Sequence, residues 1–77
     1  MTDLEKFIEL YKSIGIELGV NINSENNNQE ILLSEGTYSF SDGKKGTISE
    51  KLKGYMGFYS SIEFDLNGKF IEQGFWE

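Results

Sequence analysis

The chain predicts a two-layer α+β domain, an N-terminal helix packed on an antiparallel sheet of four to five strands that ends in a β-hairpin. Three observations predict it. A capped apolar stripe of period 3.6 opens the chain, the period then switches to two, and the last third holds a long alternating segment, interrupted only at Ser60, that leads into a hairpin turn sequence. The 77 residues are too few for two cores, so residues 1–77 are read as one domain, with the helix over about 3–14 and the sheet over about 16–77.

Thr2-Asp3-Leu4-Glu5 matches the capping box, in which hydroxyl and carboxylate satisfy each other's free amides at a helix start. Leu4, Phe7, Ile8, Tyr11 and Ile14 then form one apolar stripe, with Glu5, Lys6, Glu9, Lys12 and Ser13 on the wet side. Gly15 is placed to end the helix in the left-handed conformation. From there Ile16, Leu18, Val20 and Ile22 alternate with Glu17, Gly19, Asn21 and Asn23, a half-buried strand. Ser24 to Asn28 has no apolar residue and reads as a connecting loop.

Ile31, Leu32 and Leu33 form a short apolar run, and Tyr38 and Phe40 alternate with hydroxyl residues. Gly36 lies between them, so the pair reads as one kinked strand or two. Ser41 to Gly46 is a turn, and Thr47 to Lys53, with Ile48 and Leu52, is a shorter strand. Met56, Phe58, Ile62, Phe64 and Leu66 then share one parity, which makes a long strand with one dry face. For Asp65-Leu66-Asn67-Gly68-Lys69 two registers compete. A two-residue Asn-Gly turn sets Glu63 opposite Glu72, a like-charge pair. A type I turn with Gly68 in a left-handed bulge sets Phe64 against Phe70 and Phe58 against Trp76, and this register is preferred. Phe58, Phe64, Phe70 and Trp76 are then expected in the core. Tyr55, Tyr59, Ile71 and Phe75 share the opposite face, too much apolar area to leave bare, so the sheet either curls toward a small barrel or meets a partner there. A core of this size with no cysteine to staple it also favours a homo-oligomer.

Composition excludes several chemistries. With no histidine and no cysteine, the chain lacks Ser-His and Cys-His nucleophile pairs, disulfides and the usual zinc ligands. No G-x-x-x-x-G-K-[ST] loop is present. Glu63-Phe64-Asp65-Leu66-Asn67-Gly68 begins like an EF-hand loop, but Gly74 stands where the bidentate glutamate belongs. No catalytic residue, metal site or cofactor is expected, and the chain is read as a non-enzyme. Absence of a long apolar run or signal-peptide pattern points to the cytoplasm and away from membranes.

Seven lysines against thirteen acids give a net charge of -6, which disfavours direct nucleic-acid binding. Four of the lysines (Lys44, Lys45, Lys51 and Lys53) gather between Gly43 and Gly54 against Glu50 alone. Together with Thr47 and Ser49 they form a candidate anion-binding segment.

Phe64-Asp65-Leu66-Asn67-Gly68-Lys69-Phe70, followed by Gly74-Phe75-Trp76-Glu77, resembles the ending of short proteins carried by phages and mobile elements of low-GC bacteria. The segment from Leu4 to Lys12 is similar in style. The resemblance implies an accessory, anti-defence setting, in which such proteins bind a host immune protein or soak up a nucleotide signal. It transfers no site residue.

The leading expectation is a non-enzymatic, phage-type inhibitor that occupies a host defence protein. Glu17, Glu63, Asp65, Glu72 and Glu77 would supply charge, and Tyr55, Tyr59 and Phe75 the apolar anchors. The alternative is an oligomeric protein that sequesters an anionic nucleotide through the Lys44–Lys53 segment. A structural virion or assembly protein is the third reading.

Overall fold

A computed structural model describes residues 1–34, 36–40, 42–48, 52 and 57–76. Helix α1 spans Asp3–Ser13, and six strands follow: β1 (Asn21–Ile22), β2 (Gln29–Ser34), β3 (Thr37–Ser39), β4 (Lys45–Thr47), β5 (Tyr59–Phe64) and β6 (Phe70–Trp76). The fold is α+β. Four strands make one open antiparallel sheet in the order β1-β2-β5-β6, and β3-β4 is a separate hairpin. No closed barrel forms. Among the described residues no helix is long and apolar enough to cross a membrane.

The helix begins and ends as its sequence dictates. Thr2 Oγ1 accepts from the Glu5 amide at 3.1 Å, and the Thr2 amide donates to Glu5 Oε1 at 2.8 Å, which holds the Glu5 carboxyl below its usual pKa. At the other end Gly15 adopts φ +87, with its amide on the Lys12 carbonyl and the Ile16 amide on the Tyr11 carbonyl, a Schellman closure.

The turn between β5 and β6 is the type I turn with a left-handed glycine. The Gly68 amide donates to the Asp65 carbonyl at 2.9 Å, and Gly68 has φ +85. The same glycine docks the helix. Its carbonyl accepts from the Leu4 amide at 2.9 Å, and a Cβ at this position would lie 2.7 Å from Thr2 Cβ. Asp3 Oδ2 accepts from the Phe70 amide at 2.9 Å, so the first helical turn and the last hairpin share their caps.

One face of the sheet is covered by α1. Ile31 and Leu33 of β2 and Ile62 and Phe64 of β5 bury with Leu4, and Phe7, Ile8 and Tyr11 pack over them. A smaller cluster of Ile16, Phe40 and Ile48 lies under the β3-β4 hairpin, and Tyr11, Leu18 and Phe58 touch both. Tyr11 is the hinge of this core. Its burial, with Tyr38 nearby, raises its phenol pKa.

The elements differ from the sequence expectation in three places. The segment from Ile16 to Asn23 is not one strand: Ile16 bridges Phe40 beside the second sheet, and only Asn21–Ile22 pair with β2. The alternation at Ile16 and Leu18 serves the small cluster, and the chain then crosses to the larger sheet. Of the strand expected at Thr47 to Lys53, residues 49–51 and 53 lie outside the described residues, Thr47 ends β4 (Lys45–Thr47), and Ile48 and Leu52 are helical. Their i, i+4 spacing suits a helix as well as it suits a strand. The long last strand begins only at Tyr59, after Gly57 at φ +86. Of the doubtful pair around Gly36, β2 and β3 are two strands in different sheets.

Candidate functional site

The face of the sheet turned away from α1 carries the site, and a β-bulge composes it. Phe64 pairs with Phe70, as the turn requires, but the register then shifts, so that Glu63 pairs with Glu72 and Tyr59 with Trp76. Ile71 is the extra residue. The expected pairing of Phe58 with Trp76 is therefore overturned, because a bulge next to the turn moves every later residue by one and changes its face. Both competing features are present, the type I turn and the Glu63–Glu72 pair.

Two consequences follow for the sequence-predicted residues, and a third residue departs from the core independently of the bulge. Trp76 leaves the core side and joins Tyr59 on the open face, where each is about half exposed, at 51%. Phe75 moves the other way. It pairs with Ser60, on the α1 side of the sheet, yet is 70% exposed. Phe70 is likewise partly exposed, though its ring meets Phe64 edge-on at 6.1 Å.

Pairings across the strands align Asn21, Glu30, Glu63 and Glu72 in one row over all four strands. Opposed residues have Cβ atoms about 4.5–5.5 Å apart, so three carboxylates stand side by side. Neutral donors hold them. Asn26 Nδ2 reaches Glu63 Oε1 at 2.8 Å, and Ser61 Oγ and Asn23 Nδ2 reach Glu30 Oε2 at 2.9 and 3.3 Å. Amides and a hydroxyl fix these groups in place without cancelling their charge.

Glu63, only 9% exposed, and Glu72 face each other across the strands, and their pKa values are pushed in opposite directions. The Asn26 hydrogen bond, then that from Glu72, lowers the Glu63 pKa, whereas donation to Glu63 and the charge of Glu63 raise that of Glu72. A like-charge pair at this separation is tolerated because one member keeps its proton to higher pH than an ordinary glutamate. Among the described residues no three acids converge as metal ligands would. The carboxylates form a line along the sheet, not a cage.

The next rows set apolar and aromatic side chains beside serines. Leu32 pairs with Ser61 and Ser61 with Gly74, while Ser34, Tyr59 and Trp76 form the row beyond. Gly74 has no side chain to fill its place, and a Cβ there would meet the Trp76 ring at 3.2 Å. The result is a groove of about 290 Å³ lined by Ser61, Glu63, Glu72, Gln73, Gly74 and Trp76. It has an indole wall at one end and a carboxylate pair at the other, which suits a cation carried on an apolar stem.

The remaining predicted residues are not gathered here. Asp65 is committed to its turn, where Oδ1 accepts the Asn67 and Lys69 amides at 2.8 and 2.9 Å. Glu17 is exposed beside the β3 backbone, remote from the row in sequence and sheet. Tyr55 and Glu77 lie outside the described residues, as do Ser49, Lys51 and Lys53. Lys44 and Lys45 are exposed at the β3-β4 hairpin, and Thr47 is half-buried in β4. Sequence reasoning missed Glu30, Asn26, Ser61 and Trp76. The only signal for Glu30 was its parity with Leu32 on β2, and Asn26 reaches the row from a loop read as a connector.

No family model matches the chain, and no curated protein or solved structure does.

Proposed function

We propose that the protein is a non-enzymatic binding protein that grips a positively charged protein surface with its open sheet face. The observation that carries this reading is the adjacency of the Glu30–Glu63–Glu72 row to exposed Leu32, Tyr59 and Trp76. Acidic groups steer a basic partner and set its register, while exposed aromatics supply the apolar contact that charge alone lacks. The net charge of -6 adds long-range attraction of the same sign. The resemblance of the terminal segments to phage and mobile-element proteins supplies the setting, an inhibitor of a host defence protein.

Affinity capture from a lysate of a low-GC bacterium tests it, with wild type, Glu72→Lys and the double variant Lys44→Glu, Lys45→Glu run in parallel at low and high salt. A partner with a basic surface should be retained by wild type and by the lysine variant, and lost with Glu72→Lys and at high salt. Loss with the lysine variant and retention by Glu72→Lys would instead favour sequestration of an anion at the β3-β4 hairpin.

A further inference from the structure

The two edges of the four-stranded sheet are unequal. At one, β1 has only two residues, Asn21–Ile22, too short to template another strand. At the other, β6 runs for seven residues, Phe70–Trp76, of which all but Gly74 are exposed. Among the described residues only one side of β6 is paired, with β5. Native edges of this length are usually blunted by lysine, proline or an extra covering element. From Phe70 to Trp76 there is no proline and no lysine, and the single charge is Glu72. The bulge lies at the turn end, which leaves Glu72 to Trp76 in regular pairing.

We infer that β6 receives an extended segment of the partner as a fifth strand, with an arginine placed opposite Glu72. This rests on the reading of the open face given above and specifies the form of its partner. A strand added beside β6 continues the row that already crosses the sheet, so its residue opposite Glu72 becomes the next member after Glu30, Glu63 and Glu72. A cation is the one side chain that this position favours, since another acid there would extend the repulsion. Arginine suits it better than lysine, because a planar guanidinium can fork onto a carboxylate while its stem and plane lie against the Trp76 ring. The same-face neighbour two residues along comes to lie opposite Gly74, beside the Trp76 ring that lies over that glycine, where a small branched side chain can pack against the indole. Main-chain hydrogen bonds provide affinity and the alternate side chains provide selectivity, as in other cases of strand addition. A second copy of the chain is the poorer occupant. Each copy carries a net charge of -6, and pairing β6 with itself would bring two glutamate rows together.

The probe is the capped peptide Thr-Val-Thr-Arg-Thr-Val-Thr, compared with its Arg-to-Glu analogue and with two analogues N-methylated on alternate residues, which block one or the other hydrogen-bonding edge. Trp76 is the sole tryptophan, so its fluorescence reports binding directly, and amide NMR shifts locate it. The arginine peptide should shift the amides of Ile71 to Phe75, bind at least tenfold more tightly than the glutamate analogue, and lose at least tenfold in one of the two methylated forms. Glu72→Gln should weaken it about tenfold, while Lys45→Glu leaves it unchanged or tighter. If both methylated peptides bind as well as the parent, strand addition is wrong and the open-face reading survives. If arginine and glutamate peptides bind equally, the charge assignment fails in both. Absence of binding up to millimolar peptide overturns the inference, as does concentration-dependent dimerisation seen at the same β6 amides.

Discussion

The two faces of one sheet are built from the same strands and do opposite things. On the α1 side Ile31, Leu33, Ile62 and Phe64 are buried to within a few per cent, and the helix that covers them is tied down at both ends. On the other side Glu30, Glu63 and Glu72 line up beside Leu32, Tyr59 and Trp76, and no described element is laid over the two aromatics. The difference teaches where stability and recognition are separated. Strand alternation lets residues one apart serve the core and the open surface independently, so substitutions on one face should leave the other's property largely intact.

The comparison is broken most severely from the covered side. Ile62→Ala removes a fully buried side chain between β2 and β6 and should cost about 2–5 kcal/mol, read as a lower denaturant midpoint. Next is Gly68→Ala, which forces an alanine to φ +85 and drives its Cβ into Thr2. The strain and the displaced helix start should together cost roughly 2–3 kcal/mol in the same measurement. Thr2→Ala removes the cap without a clash and should cost about 1 kcal/mol.

From the open side the effect is on pH dependence and is smaller. The raised pKa of Glu72 means that its protonation stabilises the fold fully below the unfolded glutamate pKa, and that this contribution is lost as pH rises through the folded value. Glu63, with its lowered pKa, contributes above the unfolded value and loses that contribution as pH falls through the folded one. Glu72→Gln keeps a donor to Glu63 at every pH. Its melting temperature should exceed wild type at pH 7 and approach it in mild acid, as followed by thermal melts between pH 4 and 8. A cation bound at the pair favours the ionised form of Glu72, so binding should also tighten as pH rises through the Glu72 titration.

Local chemistry made much of the fold legible. The Thr2–Glu5 box, the Gly15 closure and the Asp65–Gly68 turn are each decided by residues within four positions of one another, and all three stand as read. What the sequence left undecided depends on partners far along the chain. Ile48 and Leu52 fit either period, and the path of Ile16 to Ile22 is divided between two sheets. The candidate site was the least legible part because it hangs on a single bulge. Without the extra residue at Ile71, Phe75 would stand with Tyr59 on the open face and Trp76 would be buried; with it they exchange sides. Tyr59 and Glu63 were found from parity and Glu72 from its charge alone, since the preferred register set it on the side of Phe70 and Trp76, whereas Glu30 and Asn26 join them only through the pairing of β2 with β5 and the return of the 24–28 loop.

The most direct test of the open-face claim is amide NMR shift mapping of the labelled protein as its captured partner is added. The account predicts that shifts concentrate on Glu30, Leu32, Ser61, Glu63, Glu72 and Trp76 and fade as salt is raised. Shifts confined to Lys44, Lys45 and the rest of the β3-β4 hairpin would contradict it.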